Sequence, residues 1–237
     1  MALPKINTFP MYSITIPSTQ KQVRFRPYNV GEEKVLLIAF ESDDRSQIAT
    51  AILDIILNCA EEQLDPSQLT VFDIEYLFLQ IRTKAVGENT TMIFTCTECN
   101  HENEISIPVN EIKIDAENLP NTRITINDDY ALEMKFPIYS EMIKNSEALN
   151  VDNVNELVFQ LIIMSLDKLH TPDELIHFKD ESREEIESFV NNLTTEQYGQ
   201  IIEFIGKIPK LSHDVEYTCQ SCSKENKYTL EGLSDFF

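Results

Sequence analysis

Four of the five cysteines in this chain fall in two short stretches that repeat one another. Phe94-Thr95-Cys96-Thr97-Glu98-Cys99-Asn100-His101-Glu102-Asn103 returns as Tyr217-Thr218-Cys219-Gln220-Ser221-Cys222-Ser223-Lys224-Glu225-Asn226. Each reads aromatic, Thr, Cys, two residues, Cys, two residues, Glu, Asn. Two Cys-x-x-Cys pairs supply the four thiolates of a tetrahedral zinc site. Cys96, Cys99, Cys219 and Cys222 are therefore the candidate ligands of one structural Zn2+. A shell closed by four protein ligands has no open position for substrate, so the expected chemistry is that of an ion that holds shape.

Other readings of the same residues stand beside this one. The pairs can bind metal between two chains, or they can be redox dithiols. A redox Cys-x-x-Cys opens a helix, where the dipole lowers the thiol pKa, whereas both pairs here lie between strand-like runs. His101 and His213 are close enough in sequence to replace a thiolate, and Lys224 is placed to offset the charge of four sulfurs. Cys59 ends an apolar helix face and reads as a small buried hydrophobe.

The elements that must carry the pairs follow from periodicity. Thr90–Thr95 and Glu102–Pro108 alternate on either side of the first pair, and Leu211–Thr218 and Lys227–Leu230 flank the second. Each pair then sits in the turn of a β-hairpin, a zinc knuckle. Upstream, Met11–Ile16 and Gln22–Arg26 read as short strands. Gly31–Ala39, Gln47–Cys59 and Phe72–Ala85 read as helices, the second with Ile48, Ala51, Ile52, Ile55 and Ile56 on one face. Between the knuckles, Arg123–Asn127 and Tyr130–Phe136 form a hairpin around Asn127-Asp128-Asp129. Tyr139–Asn145, Asn153–Ser165, Ser182–Asn191 and Thr195–Ile205 read as helices, with Thr195 as a cap.

The fold class is accordingly α+β: a discontinuous zinc-ribbon-like β module built from two CxxC knuckles, with N-terminal helices and a mainly helical insertion. The organisation reads as an extended N-terminal arm over 1–20 and an α+β region with the first knuckle over 21–110. A mainly helical insertion with a hairpin covers 111–210, and the second knuckle and C-terminal tail cover 211–237. The tail ends in Phe236 and Phe237, apolar residues that need burial either on the chain's own helices or in a partner.

Composition narrows function. The 237 residues carry 40 acids against 19 bases, a net charge of −21. Such a surface repels phosphate backbones and anionic bilayers, so neither nucleic acid nor membrane is expected as a partner. No apolar run approaches the ~18 residues of a membrane span, and Met1–Lys5 lacks the features of a signal peptide. The expected setting is a reducing compartment. Catalytic patterns fail. Gly206-Lys207-Ile208 lacks the hydroxyl of a phosphate loop and follows a helix, and His170 and His177 read as surface histidines. Asp128-Asp129 lacks the ligand series of a calcium loop. No catalytic residue and no enzyme activity is expected.

Ordered motifs in the N-terminal half carry a resemblance. They are Leu3-Pro4-Lys5-Ile6, Pro17-Ser18-Thr19, Arg26-Pro27, Glu32-Glu33-Lys34-Val35-Leu36-Leu37 and Glu41-Ser42. Phe72-Asp73-Ile74-Glu75-Tyr76-Leu77-Phe78-Leu79 and Val86-Gly87-Glu88 continue the series. Over about residues 1–110, and more loosely beyond, the chain resembles the baseplate hub subunits and hub-assembly proteins of T4-like contractile-tailed phages. The resemblance implies a non-enzymatic role in tail morphogenesis, as hub component or assembly chaperone, through contacts with other hub or spike proteins. It implies the host cytoplasm during assembly, or the virion baseplate, as location. The alternative of another class is a zinc-ribbon regulator that binds nucleic acid or a polymerase.

Overall fold

The computed structural model describes residues 9–42, 44–112, 114, 116, 119–145 and 153–236. Leu3-Pro4-Lys5-Ile6 and Phe237 lie outside the described residues, as does the side chain of Phe236. The chain is α+β and divides into two compact units. The first comprises Met1–Pro66, Phe72–Ile114 and Lys210–Phe237, and the second Ser67–Val71 with Asp115–Pro209.

The first unit begins with an antiparallel hairpin of β1 (Tyr12–Thr15) and β2 (Gln22–Phe25). The expected division between an arm over 1–20 and a domain from 21 thus runs through the turn of a hairpin, in which Tyr12–Thr15 of the arm is paired. Three helices follow: α1 (Val30–Glu41), α2 (Arg45–Cys59) and α3 (Val71–Ala85). Asn29 and Glu32 form a reciprocal capping box at the start of α1, which satisfies two otherwise orphaned N–H groups. Glu32 also takes both arms of the Arg26 guanidinium, at 2.9 and 2.7 Å. Asp44 caps α2 through the N–H groups of Ser46 and Gln47.

The end of α2 returns to β2, where Arg26 donates its N–H to the Cys59 carbonyl at 3.0 Å and Glu61 to the Arg24 carbonyl at 2.8 Å. Cys59 itself is buried, and burial pushes its thiol up to about 12. Phe72, Ile74, Leu77, Phe78, Leu79 and Ile81 of α3 are all buried, with Ile55 and Ile56 of α2 and Val23 and Phe25 of β2. Two longer hairpins complete this unit: β3 (Asn89–Thr95) with β4 (Glu102–Pro108), and β9 (Ser212–Thr218) with β10 (Glu225–Glu231). Glu75 of α3 accepts the N–H of Leu211 at 3.3 Å, at the base of the second hairpin. Gly232 follows β10 at φ 68 and donates to the Leu211 carbonyl at 2.8 Å. A 3-10 turn over Leu233–Phe236 then buries Leu233.

The second unit is a four-stranded antiparallel sheet in the order β5-β6-β7-β8, covered by helices. β5 (Arg123–Thr125) and β6 (Ala131–Met134) are the expected hairpin, while β7 (Leu166–His170) and β8 (Leu175–His177) extend it. Among the described residues its helices are α4 (Tyr139–Lys144), α5 (Val154–Ser165), α6 (Arg183–Asn191) and α7 (Thr195–Gly206). Leu132 of β6, Ile162 of α5 and Ile201 of α7 centre one apolar core with Met134, Leu166 and Phe204. Thr194, and not Thr195, caps α7, in a box with Gln197. His170 is half-buried, its Nε2 3.1 Å from Glu133 Oε2 across the β6–β7 pair.

Candidate metal centre

Each cysteine pair occupies the turn of its hairpin, and the two turns share one backbone geometry. Cys96 donates its N–H to the His101 carbonyl at 2.9 Å, and Asn100 to the Cys96 carbonyl at 3.0 Å. In the second hairpin Cys219 donates to Lys224 at 2.8 Å and Ser223 to Cys219 at 3.0 Å. Closing this turn requires a left-handed residue directly after the second cysteine, which is Asn100 at φ 57 and Ser223 at φ 61. Strand register is also repeated: Phe94 opposes Asn103 and Tyr217 opposes Asn226.

The same turn occurs a third time without sulfur. Ile16 donates to the Lys21 carbonyl and Gln20 to the Ile16 carbonyl, both at 2.9 Å, with Gln20 at φ 56. Ile16 stands where the first cysteine would be and Thr19 where the second would be. This turn is pinned by the buried Asp73 of α3, whose carboxylate accepts the Ser18 N–H at 2.8 Å and the Ser18 hydroxyl at 2.6 Å. A carboxylate that takes two hydrogen bonds thus fastens this loop, where the other two turn their sulfurs toward each other.

Among the described residues, the four cysteines are the one group of His, Cys, Asp and Glu side chains with the geometry to hold a metal ion. Their sulfurs all lie within 4.8 Å of one another. Cys96 Sγ is 3.7 Å from Cys222 Sγ, and Cys99 Sγ is 3.6 Å from Cys219 Sγ. A tetrahedron with metal–sulfur bonds of ~2.3 Å has edges of about 3.8 Å, so these spacings fit a common ion. Neither His101 nor His213 belongs to the group: His101 is exposed, and His213 lies toward the far end of β9, opposite Leu230.

The surroundings are built for anionic sulfur. Within each loop a backbone N–H points at the first cysteine: Glu98 at Cys96 Sγ, 3.5 Å, and Ser221 at Cys219 Sγ, 3.4 Å. From the opposite hairpin, Asn226 Nδ2 lies 3.6 Å from Cys96 Sγ and Asn103 Nδ2 3.8 Å from Cys219 Sγ. Backbone N–H groups of Cys99 and then Glu98 lead in drawing the Cys96 thiol down to about 6. The Cys222 N–H is the chief influence that lowers Cys219. At Cys222 the largest single influence, the Lys224 N–H, also lowers the pKa. It is outweighed by the sulfur of Cys99, by burial, and by the sulfurs of Cys96 and Cys219, which together push the thiol up to about 12. Four adjacent sulfurs without a cation hold on to a proton, and a divalent ion removes that obstacle.

The two asparagines also lock the hairpins to each other. The Asn226 Oδ1 accepts the Thr97 N–H at 3.1 Å and its hydroxyl at 3.0 Å, while Asn103 Oδ1 accepts the Gln220 N–H at 2.9 Å. Each amide also donates within its own hairpin, Asn103 to His101 O and Asn226 to Lys224 O, both at 2.9 Å. Beneath the sulfurs the aromatic positions of the repeat meet. Phe94 lies 5.9 Å from Tyr217 and 5.3 Å from Tyr228, ring centre to ring centre, and Tyr228 donates its hydroxyl to the Thr95 carbonyl. Sequence reasoning assigned no role to Asn103, Asn226 or Tyr228. For the asparagines the signal was present, since the repeat runs on past the second cysteine to Asn.

No curated protein and no solved structure matches the chain significantly. A family model described as "T4 bacteriophage base plate protein" matches residues 9–237, which takes in both cysteine hairpins and everything between them. The chain therefore belongs to the T4 bacteriophage base plate protein family.

Proposed function

We propose that this baseplate protein is a non-enzymatic component or assembly chaperone of the baseplate hub, held in shape by one structural Zn2+. The observation that carries the reading is the cluster of four sulfurs, brought together from turns 120 residues or more apart, in a chain of the baseplate family. Cys96, Cys99, Cys219 and Cys222 would hold the ion as thiolates, and the two hairpins together would form a discontinuous zinc ribbon. Bound there, zinc supplies cross-linking and charge neutralisation, and with four thiolates it leaves no position for a substrate.

What the chain's own residues do is positioning. The N–H groups of Glu98 and Ser221 and the amides of Asn103 and Asn226 orient the sulfurs and spread their charge. Closing so long a loop restricts the unfolded chain and favours a rigid body suited to docking. The work of such a body is contact with other baseplate proteins.

The test has two arms. Elemental analysis of the purified chain is expected to give one zinc per chain, and tails from phage lacking the gene are expected to show incomplete hubs. Intact hubs without the chain would overturn the assembly role. A purified chain that is folded and free of metal would overturn the zinc role.

A further inference from the structure

Helix α1 is apolar on two sides. Leu36 and Ala39 are buried within the first unit. Val30 and Ile38 are 67% exposed, Val35 56% and Leu37 55%. Single exposed apolar residues need no explanation, but here four lie on one short helix. Val30, Leu37 and Ile38 follow the i, i+7, i+8 spacing that aligns side chains along one face over two turns. Val35 carries the face round to a groove shared with α2.

That groove is about 340 Å³ and is lined by Val35, Ile38 and Ala39 on one side and Gln47, Thr50 and Ala51 on the other, among others. Ala39 and Ala51 lack bulk, so the backbone of an incoming helix can approach closely between α1 and α2. Charge indicates the kind of helix. Asp54 lines the groove and α1 ends in Glu41 with no basic residue in its last turn, while Lys34, exposed between Val30 and Ile38, adds one positive charge to the middle of the face. The carbonyl end of the α1 dipole therefore adds to the Glu41 charge instead of being offset by a cation. A second copy of this chain is disfavoured as occupant, because each copy carries −21.

We propose that the α1–α2 face is a docking site for an amphipathic helix of another baseplate protein. The partner helix sets Leu, Ile or Val side chains at i, i+3/i+4 and i+7 against Val30, Val35, Leu37 and Ile38, places Lys or Arg near Glu41 and Asp54, and sets a hydrogen-bond acceptor opposite Lys34. Such helix-in-groove docking takes its affinity from apolar anchors and its orientation from the charged rim. The inference rests on the reading that the chain works by protein contact in the baseplate, and it adds the surface and the chemistry of the partner.

The test places a photo-crosslinking residue, p-benzoylphenylalanine, at Ile38 of the full chain in phage-producing cells, and sequences the crosslinked peptide. The expected peptide is from a different phage protein, has apolar residues spaced three and four apart, and carries Lys or Arg flanking them. In parallel, Ile38→Glu is expected to lower the amount of chain in isolated baseplates at least tenfold. Ile93→Glu serves as a control, since Ile93 is 65% exposed on β3, and is expected to leave that amount unchanged. Circular dichroism and zinc content verify that both variants fold.

A crosslink to a second copy, to the chain's own residues or to an acidic or extended segment overturns the docking site. So does normal incorporation of a folded Ile38→Glu chain. Absence of the unmodified chain from finished baseplates overturns its reading as a resident hub component and leaves that of an assembly chaperone, and the identity of the crosslinked peptide then decides the docking site.

Discussion

Asn103 and Asn226 occupy equivalent positions in the two cysteine hairpins, and each reaches across to the other hairpin's first cysteine, at 3.8 and 3.6 Å. Both are buried, and each spends its carbonyl oxygen on a backbone N–H of the opposite loop. The exchange gives the pair of hairpins an internal two-fold character, and it orients Cys96 and Cys219 independently of any ion.

Asn226→Ala removes an acceptor for Thr97 and a donor to Cys96 in one step. The Thr97 N–H is only part-buried, so its lost acceptor costs at most roughly 1–3 kcal/mol, and loss of a partner that orients a ligand typically weakens metal retention about 10- to 100-fold. Asn226→Asp is the sharper variant. It keeps the acceptor for Thr97 but turns a carboxylate oxygen toward an anionic sulfur. It is expected to lose zinc to a chelator faster than Asn226→Ala, measured by competition with a colorimetric chelator at neutral pH. Equal retention in all three proteins would mean that the asparagines only fill space.

Cys96→Ser and Cys219→Ser are each expected to abolish stoichiometric zinc, because a hydroxyl is not deprotonated as a thiol is and is a harder ligand. Cys59→Ser is expected to keep the full complement, since Cys59 is buried at the end of α2 beside the Arg26 N–H and is not one of the clustered thiols. Elemental analysis of the three variants decides the matter. The same zinc content in all three would remove the four-thiolate centre.

The left-handed positions after Cys99 and Cys222 offer a route to a more stable protein. Asn tolerates this conformation better than Ser, and Gly adopts it without steric cost. Ser223→Gly is therefore expected to stabilise the chain by about 0.5–1 kcal/mol, and Asn100→Gly by less. Thermal unfolding of the zinc-loaded protein measures the difference. A lower midpoint for Ser223→Gly would show that its side chain contributes more than the backbone conformation costs.

Much of this architecture was legible because its signals are local. The repeat around the cysteines predicts two hairpins with metal-ligand turns, and the 3.6-residue period of Gln47–Cys59 and Phe72–Ala85 matches α2 and α3 to within two residues. What was not legible depends on pairing. Leu166-Asp167-Lys168-Leu169-His170 has no β-branched residue, and its leucines are three apart, a helical spacing that directly follows a helix. It becomes β7 only because β6 and β8 pair with it on both sides. The N-terminal hairpin falls across the boundary between arm and domain because Pro4, Pro10 and Pro17 read locally as an extended run, whereas Ser18 and Asp73, 55 residues apart, fasten its turn. The cysteine cluster could be read from spacing, but the cross-hairpin asparagine bonds exist only once the two turns face each other.

Glu75 provides a prediction in pH. Burial is the main cause that holds its carboxyl above the ordinary range, only partly offset by the N–H groups of Leu211 and Leu233. The sign follows from linkage. Between the unfolded and the folded pKa, the unfolded chain has already released the proton that the native state still holds. Stability from this group is therefore complete below the unfolded value and is lost as pH rises through the folded one, the reverse of a salt-bridged carboxylate. One such proton contributes a slope of at most about 1.4 kcal/mol per pH unit. Glu75→Gln carries no titrating proton, so the difference in stability between the two proteins is expected to change across this window and to level off on either side. Urea unfolding at closely spaced pH values measures it, and the comparison cancels the opposing pH dependence of the metal centre, which both proteins share. A constant difference at every pH would place the Glu75 carboxyl in water, away from the Leu211 and Leu233 N–H groups.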